Sequence, residues 1–401
     1  MTYLDHAATT PVHPAVAEQM AQDLARPEAN PSAQHSAGRR AAALLAEARS
    51  RLAQALGVDA HEVVFTSGGT EANALVVCGR ARAVAGGRLV VSPIEHPSVL
   101  DTARTAASEL GADLGLLEVD GAGRVELGSV RRELAGTGSP ASLVSVMTAN
   151  NETGVVQDVA GLVDCVRKAT GVTRPDRAGY VPVHSDVVAA LGRVAVDFHG
   201  WGLDAMSLSG HKLGAPVGVG ALVARRDLVL TPVTGGGRQE RGLRSGTQDV
   251  VGARALALAV ELAVAERQAE ARRLERLRSR LLAGATAIEG VHATLPDGVA
   301  HLPGTAHLWV EEAEAESLLM ALDLAGIDAS AGSACHAGVF QPSDVLLAMG
   351  RGERAARATL RLSMGRTTTA QDVERMLVVL PAALESARRA WSVRHRGPRT
   401  A

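Results

Sequence analysis

Of the 41 basic residues in this 401-residue chain only two are lysines, Lys168 and Lys212, so a reaction that needs a lysine amine has two candidates. Lys212 stands in Ser209-Gly210-His211-Lys212, after the apolar run 205–208 and before Gly214 and the glycine-rich stretch 217–220. At the end of a buried strand a lysine loses hydration, its pKa falls, and its amine becomes able to form a Schiff base. A snorkelling or anion-binding lysine is the ordinary alternative, so the neighbours must decide. Asp186 closes the apolar run 181–186; there its carboxylate can pair with a pyridinium nitrogen and keep pyridoxal 5'-phosphate (PLP) in its electron-sink form. Thr66-Ser67-Gly68-Gly69-Thr70-Glu71-Ala72-Asn73 joins a strand-like run to a helix-like one. Its small residues expose backbone N–H groups at a helix N-terminus, a cup for a phosphate. The cup is not a nucleotide-binding P-loop, because no Gly-Lys-Ser/Thr follows it. Strand-end lysine, strand-end aspartate and glycine cup together predict a PLP site.

His96, in Glu95-His96-Pro97 after the run 88–92, either caps a helix or stacks on the cofactor ring and relays protons. The company it keeps favours the second role. Cys335 lies among small residues, Ser330-Ala331-Gly332-Ser333-Ala334-Cys335-His336-Ala337-Gly338. Such a stretch packs little and suits a thiolate nucleophile carried between a buried cofactor and a partner at the surface. Cys78 and Cys165 fall inside helical patterns and read as inert core thiols. With the three cysteines far apart and no Cys-x-x-Cys, neither a disulfide framework nor a metal site is expected.

The elements that must position these groups follow from periodicity. Short apolar strands are expected at 62–66, 88–92, 113–119, 142–148, 181–186, 204–208 and 217–224, mostly separated by helices, as in a mostly parallel α/β sheet with helices on both faces. Ligands then collect at the carboxyl ends of the strands. Leucines and alanines recur at helical spacing from Ala41 to Leu56, ahead of Gly57. A long helical pattern covers 248–288, and the rhythm beyond it (strand 307–310, helix 315–325, strand 327–330, helix 341–349, strand 358–363, helix 370–390) predicts a smaller α+β domain. The expected division is a large domain at 14–255, with 1–13 and 256–401 forming the small domain and carrying the cysteine loop at about 328–343. The tail from Arg394 is expected to be disordered. A net charge of −2 excludes a global basic excess and makes direct nucleic-acid binding unexpected. With no long apolar run and Asp5 where a signal peptide needs apolar residues, a cytoplasmic location away from membranes is expected.

The run Tyr3-Leu4-Asp5-His6-Ala7-Ala8-Thr9-Thr10-Pro11, then Asn30-Pro31-Ser32, the Gly-Ser-Ala-Cys loop and Arg361-Leu362-Ser363-Met364-Gly365-Arg366 resemble the cysteine desulfurases of the IscS/NifS-like kind. These are PLP enzymes of fold type I, and the likeness covers nearly the whole chain. The resemblance implies that Lys212 carries the cofactor, Asp186 partners the pyridine nitrogen and His96 is the stacking acid–base. It implies phosphate contacts from Gly69, Thr70, Ser209 and His211, joined across a homodimer interface by Thr247. Asn151 and Arg361 resemble the pair that holds the substrate carboxylate, a task suited to a guanidinium fork. Cys335 resembles the cysteine that takes sulfur from L-cysteine as a persulfide, leaving L-alanine, for delivery to an acceptor protein of iron–sulfur cluster assembly, tRNA thiolation or another pathway. The chain departs from the family pattern at Ala189, where a glutamine usually meets the phenolic oxygen of the cofactor, and at Arg238 and Asp344. A selenocysteine lyase or aminotransferase would share Lys212 and Asp186 without needing the cysteine loop, and a catalytically weakened dimeric sulfur-relay scaffold would keep the fold.

Overall fold

The computed structural model describes every residue except 27–28, 137, 333–334, 337–338 and 396–401; for 335, 336, 339, 340 and 395 it describes the backbone alone. Its centre is a seven-stranded sheet in the spatial order Val63–Thr66, Gly220–Ala224, Ala205–Ser209, Val183–Asp186, Ala141–Ser145, Arg88–Val91 and Asp113–Leu116. Only Gly220–Ala224 runs against the rest, and the other six strands are parallel in sense.

Side-chain alternation sends five of the seven strands into two cores at once. Val63 and Phe65, Val90, and Ala221 and Val223 face one core with Leu45, Leu52, Leu162, Val166 and Leu256 from the helices Ser36–Leu56, Val159–Thr170 and Val250–Thr286. Val64, Leu89, Val91 and Leu222 face the other, against Leu75, Val76, Val99 and Ala103 of the helices Gly69–Ala83 and Pro97–Leu110. Burial on both faces explains why these strands read as nearly continuous apolar runs.

A second, antiparallel sheet orders Thr359–Ser363, Thr305–Val310 and Val291–Ala293. Its core joins Leu308, Leu360 and Leu362 to Leu318 and Leu322 of helix Ala315–Leu324 and to Leu380 and Leu384 of helix Ala370–His395. The 37-residue helix Val250–Thr286 contributes Leu256 and Val260 to the first core and Leu274 and Leu281 to this one. Thr2–Tyr3 pairs in parallel with Ile327–Asp328, which brings Asp5 to Ala8 beside Ser363.

Element ends differ from the periodic reading where side chains take over the backbone bonds. The helix expected at 341–349 is only Asp344–Ala348, because Pro342 cannot donate and Ser343 caps the turn by accepting the Leu346 N–H; a separate helix, Glu353–Arg357, follows. The disorder expected from Arg394 is corrected: the last helix runs to His395 and Arg394 pairs with Glu314, while 396–401 lie outside the described residues. Among the described residues no helix is long and apolar enough to cross a membrane, and no cluster of three or more His, Cys, Asp or Glu side chains could hold a metal ion.

Candidate active site

A cavity of ≈ 280 Å³ opens at the carboxyl ends of the parallel strands, near the lower limit of about 300 Å³ for small-molecule sites. Gly69, Thr70, His96, Asn151, Asp186, Ser209, His211, Lys212 and Arg361 all line it. Thr247 does not, being exposed elsewhere on the chain. Cys335 is described through its backbone, paired with Phe340, and its side chain lies outside the described atoms, but Gly332, three residues before it, lines the cavity. Cys165 is buried in its helix, and burial pushes the half-buried Cys78 thiol up, away from the thiolate; neither lines the cavity.

The cup forms where strand Val63–Thr66 turns into helix Gly69–Ala83. A Cβ on Gly69 would stand 2.8 Å from Val188 Cγ2, and one on Gly220 would stand 2.6 Å from the Gly68 Cα, so backbone packs where side chains would collide. Gly68 caps the helix without a side-chain bond, and the first helical residues Gly69 and Thr70 line the cavity with Ser209. Arg244, from the segment that ends in Thr247, bonds Glu71 at 3.0 Å, and Glu71 accepts the Ser67 N–H of the cup.

Asp186 ends its strand with one oxygen accepting from Asn73 Nδ2 at 2.7 Å and the other from the Val188 N–H at 2.8 Å. Asn73 also donates to Ser98 Oγ at 2.8 Å, and Ser98 bonds His96 Nδ1. His96 combines both roles weighed from the sequence. It caps helix Pro97–Leu110 by accepting the Ser98 N–H on Nδ1 and still lines the cavity. That bond assigns the proton of the neutral ring to Nε2. Burial lowers the His96 pKa, with Asp186 opposing and Lys212 assisting, so the ring is neutral at pH 7. Beside it, burial pushes the Glu95 carboxyl well above the usual carboxylate range.

Lys212 follows strand Ala205–Ser209 in a single turn and donates to the Ala8 carbonyl at 2.7 Å and to the Ala7 carbonyl. Burial first, then the guanidinium groups of Arg361 and Arg193, lower its pKa to about 8 against the pull of Asp5 and Asp186. A share of the amine is therefore neutral near pH 7 and able to attack a carbonyl or take a proton. His211 is lowered to about 4 by burial and by Lys212. Arg361, on strand Thr359–Ser363, donates from Nη1 to the Asn151 carbonyl at 3.0 Å and from Nη2 to Asp5 at 2.8 Å, and its buried Nε has no partner. Two of its five N–H groups are thus engaged, leaving three for an anionic ligand. The neighbouring Asn150 serves the backbone instead, accepting from Glu152 and Thr153 to shape the turn that presents Asn151.

Several cavity residues escape the sequence reading. Asn73 was visible within the cup motif, but its hold on Asp186 was not. Arg193 and Ser98 carried no local signal, and Ala7 and Ala8 were visible only as part of the run Tyr3–Pro11, with nothing to place them in the cavity they line.

Residues 2–376 match the aminotransferase class-V family. The chain belongs to that family. It is 43% identical to an IscS-like cysteine desulfurase of Mycobacterium tuberculosis over 97% of this chain and 98% of the relative. Its fold matches a solved NifS-like protein from Rickettsia africae with a TM-score of 0.85 at 30% identity, over 96% of this chain and 99% of the other. It also matches SspA, solved in complex with cysteine, with a TM-score of 0.77 at 30% identity over 92% and 100%. Within the class-V aminotransferases the chain therefore falls among the cysteine desulfurases, PLP-dependent enzymes.

The cavity fits that cofactor on its own terms. The glycine cradle offers helix N–H groups to a phosphate, Asp186 offers a carboxyl group held by two donors, and Lys212 offers an amine of lowered pKa. Only the neutral amine attacks an aldehyde. The rate of PLP uptake by cofactor-free protein is therefore expected to rise about tenfold per pH unit below about pH 8 and to level off above it. Stopped-flow absorbance between pH 6 and 9.5 measures this, and a rate flat across that range would contradict it.

Proposed function

We propose that the chain converts L-cysteine to L-alanine and moves the sulfur onto Cys335 as a persulfide. The observation that carries this reading is the convergence of Lys212, Asp186, His96, Asn151 and Arg361 on one cavity that Gly332, at the root of the Cys335 segment, also lines. When bound, PLP supplies an electron sink that takes up charge released from the substrate. Gly69, Thr70, Ser209 and His211 would hold its phosphate, Asp186 would keep its ring nitrogen protonated and His96 would lie against it. Arg361 and Asn151 bind the substrate carboxylate and fix its orientation, and the neutral fraction of Lys212 removes and returns protons at carbon. The Cys335 thiolate attacks the substrate sulfur: an S–S bond forms, the substrate Cβ–S bond breaks, and the carbon left behind takes a proton. Cysteine and the Cys335 thiol thus become alanine and the Cys335 persulfide, with no external oxidant or reductant.

We further read the active form as a cytoplasmic homodimer whose Thr247 completes the phosphate cup of the other copy. Its exposure away from this chain's own cavity supports that assignment. The segment before it is tightly held. Arg238, Glu240 and Arg241 have φ of 59°, 45° and 61°, conformations that cost a non-glycine residue of order 1 kcal/mol each, and buried Glu240 is fixed by Arg49 Nη1 at 2.8 Å and by the Phe65 N–H at 2.8 Å. The persulfide would then pass to an acceptor protein serving iron–sulfur cluster assembly or tRNA thiolation.

Purified holoenzyme given L-cysteine should release alanine and, with a thiol reductant, an equal amount of sulfide. Turnover confined to selenocysteine would instead identify a lyase. Arg361→Lys removes the fork but keeps the charge; one charge-assisted hydrogen bond is worth about 1.5–3 kcal/mol, so KM for cysteine should rise roughly 10- to 100-fold. Steady-state kinetics measure this, and an unchanged KM would remove Arg361 from carboxylate binding.

A further inference from the structure

Both ends of the Cys335-bearing segment rest on one residue that the mechanism above does not use. At the near end, Gly332 has φ +89°, and a Cβ there would stand 3.3 Å from Glu152 Cβ. At the far end, buried Ser343 donates its hydroxyl proton to Glu152 Oε2 at 2.6 Å while accepting the Leu346 N–H at 3.2 Å. A serine that only caps a helix needs no carboxylate, because capping uses its lone pairs alone. Here the proton is committed as well, so the hydroxyl has one orientation. Glu152 is in turn fixed by the Asn150 side chain, which accepts its N–H at 3.0 Å, in the same turn that places Asn151 in the cavity. Arg361 closes the circuit through Nη1 on the Asn151 carbonyl and through its N–H on the Ser330 carbonyl at 2.6 Å.

We infer that Glu152 and Ser343 are positioning residues for sulfur transfer: their hydrogen bond seats the root of the Cys335-bearing segment against the turn that presents Asn151. The inference rests on the reading that Cys335 receives the sulfur. A nucleophile must meet its target at near-attack distance, and a displacement of about 1 Å can cost on the order of 10²-fold in rate. Neither side chain lines the cavity, so the loss should fall on sulfur transfer and spare cysteine binding.

Single-turnover experiments on the holoenzyme separate the two. Ser343→Ala and Glu152→Ala should slow persulfide formation on Cys335 about tenfold or more, while the cysteine-induced change in cofactor absorbance keeps its amplitude and its concentration dependence within twofold. Ser343→Thr and Glu152→Gln, which keep a donor and an acceptor, should recover to within about threefold of the unsubstituted protein. In cofactor-free protein, exchange of the Leu346 amide, which donates to Ser343 Oγ, should quicken in Ser343→Ala and not in Ser343→Thr. Persulfide formation at the unsubstituted rate in both alanine variants, or equal loss of absorbance response and persulfide, would overturn the assignment. Absence of persulfide on Cys335 in the unsubstituted protein would instead overturn the sulfur-transfer reading, and this inference with it.

Discussion

Lys212→Ala is expected to leave the fold intact, to bind PLP only reversibly, and to lower alanine formation by roughly 10³-fold or more, since one residue supplies both the covalent link and the proton transfer. The fold should persist because the lysine is a burden to it. Burial and two arginines oppose its charge, and only the Ala7 and Ala8 carbonyls and two carboxylates at longer range favour it. Borohydride reduction of the holoenzyme followed by peptide mapping should place the pyridoxyl group on Lys212. Lys168 is the internal control, because it is exposed and paired with Asp164, its pKa is raised by that bond, and it has no place in the cavity. Label on Lys168, or on neither lysine, would contradict the assignment.

Cys335→Ala is the second large effect. The variant should bind PLP and cysteine as before, since no group assigned to cofactor or substrate carboxylate has changed, yet sulfur release should fall by at least about 10³-fold with the nucleophile gone. Cys78→Ala and Cys165→Ala should stay active. Cys165 sits between Arg131 Nη1 at 3.7 Å and the Leu127 carbonyl at 3.5 Å, in a helix on the first core, and its loss leaves only a small packing defect. Cysteine-dependent sulfide at an undiminished rate from Cys335→Ala would point to a lyase that eliminates sulfur without a protein nucleophile.

What the sequence made legible was the chemistry written at strand ends. Lys212, Asp186, His96 and the glycine cup each follow an apolar run, and in a parallel sheet those ends share one edge. What stayed hidden depends on partners far apart in the chain. Asn73 meets Asp186 across 113 positions and Asp5 meets Arg361 across 356, contacts that periodicity cannot register because they arise only after the strands have been ordered. The same limit made His96 look like a choice between capping and cavity lining, when its two ring edges allow both. Local chemistry trimmed the 341–349 helix, while the last helix continues through Arg394, which pairs with Glu314. Ala189 remains a departure with a clear location: it lines the cavity, and its methyl group has no hydrogen to donate.

The central claim is that sulfur passes from cysteine to Cys335. Holoenzyme mixed with one equivalent of ³⁴S-labelled L-cysteine, quenched with an alkylating agent and digested, should carry labelled persulfide sulfur on the Cys335 peptide in equal amount to the alanine formed. Labelled sulfide free in solution with Cys335 unmodified, or label on Cys78 or Cys165, would contradict it.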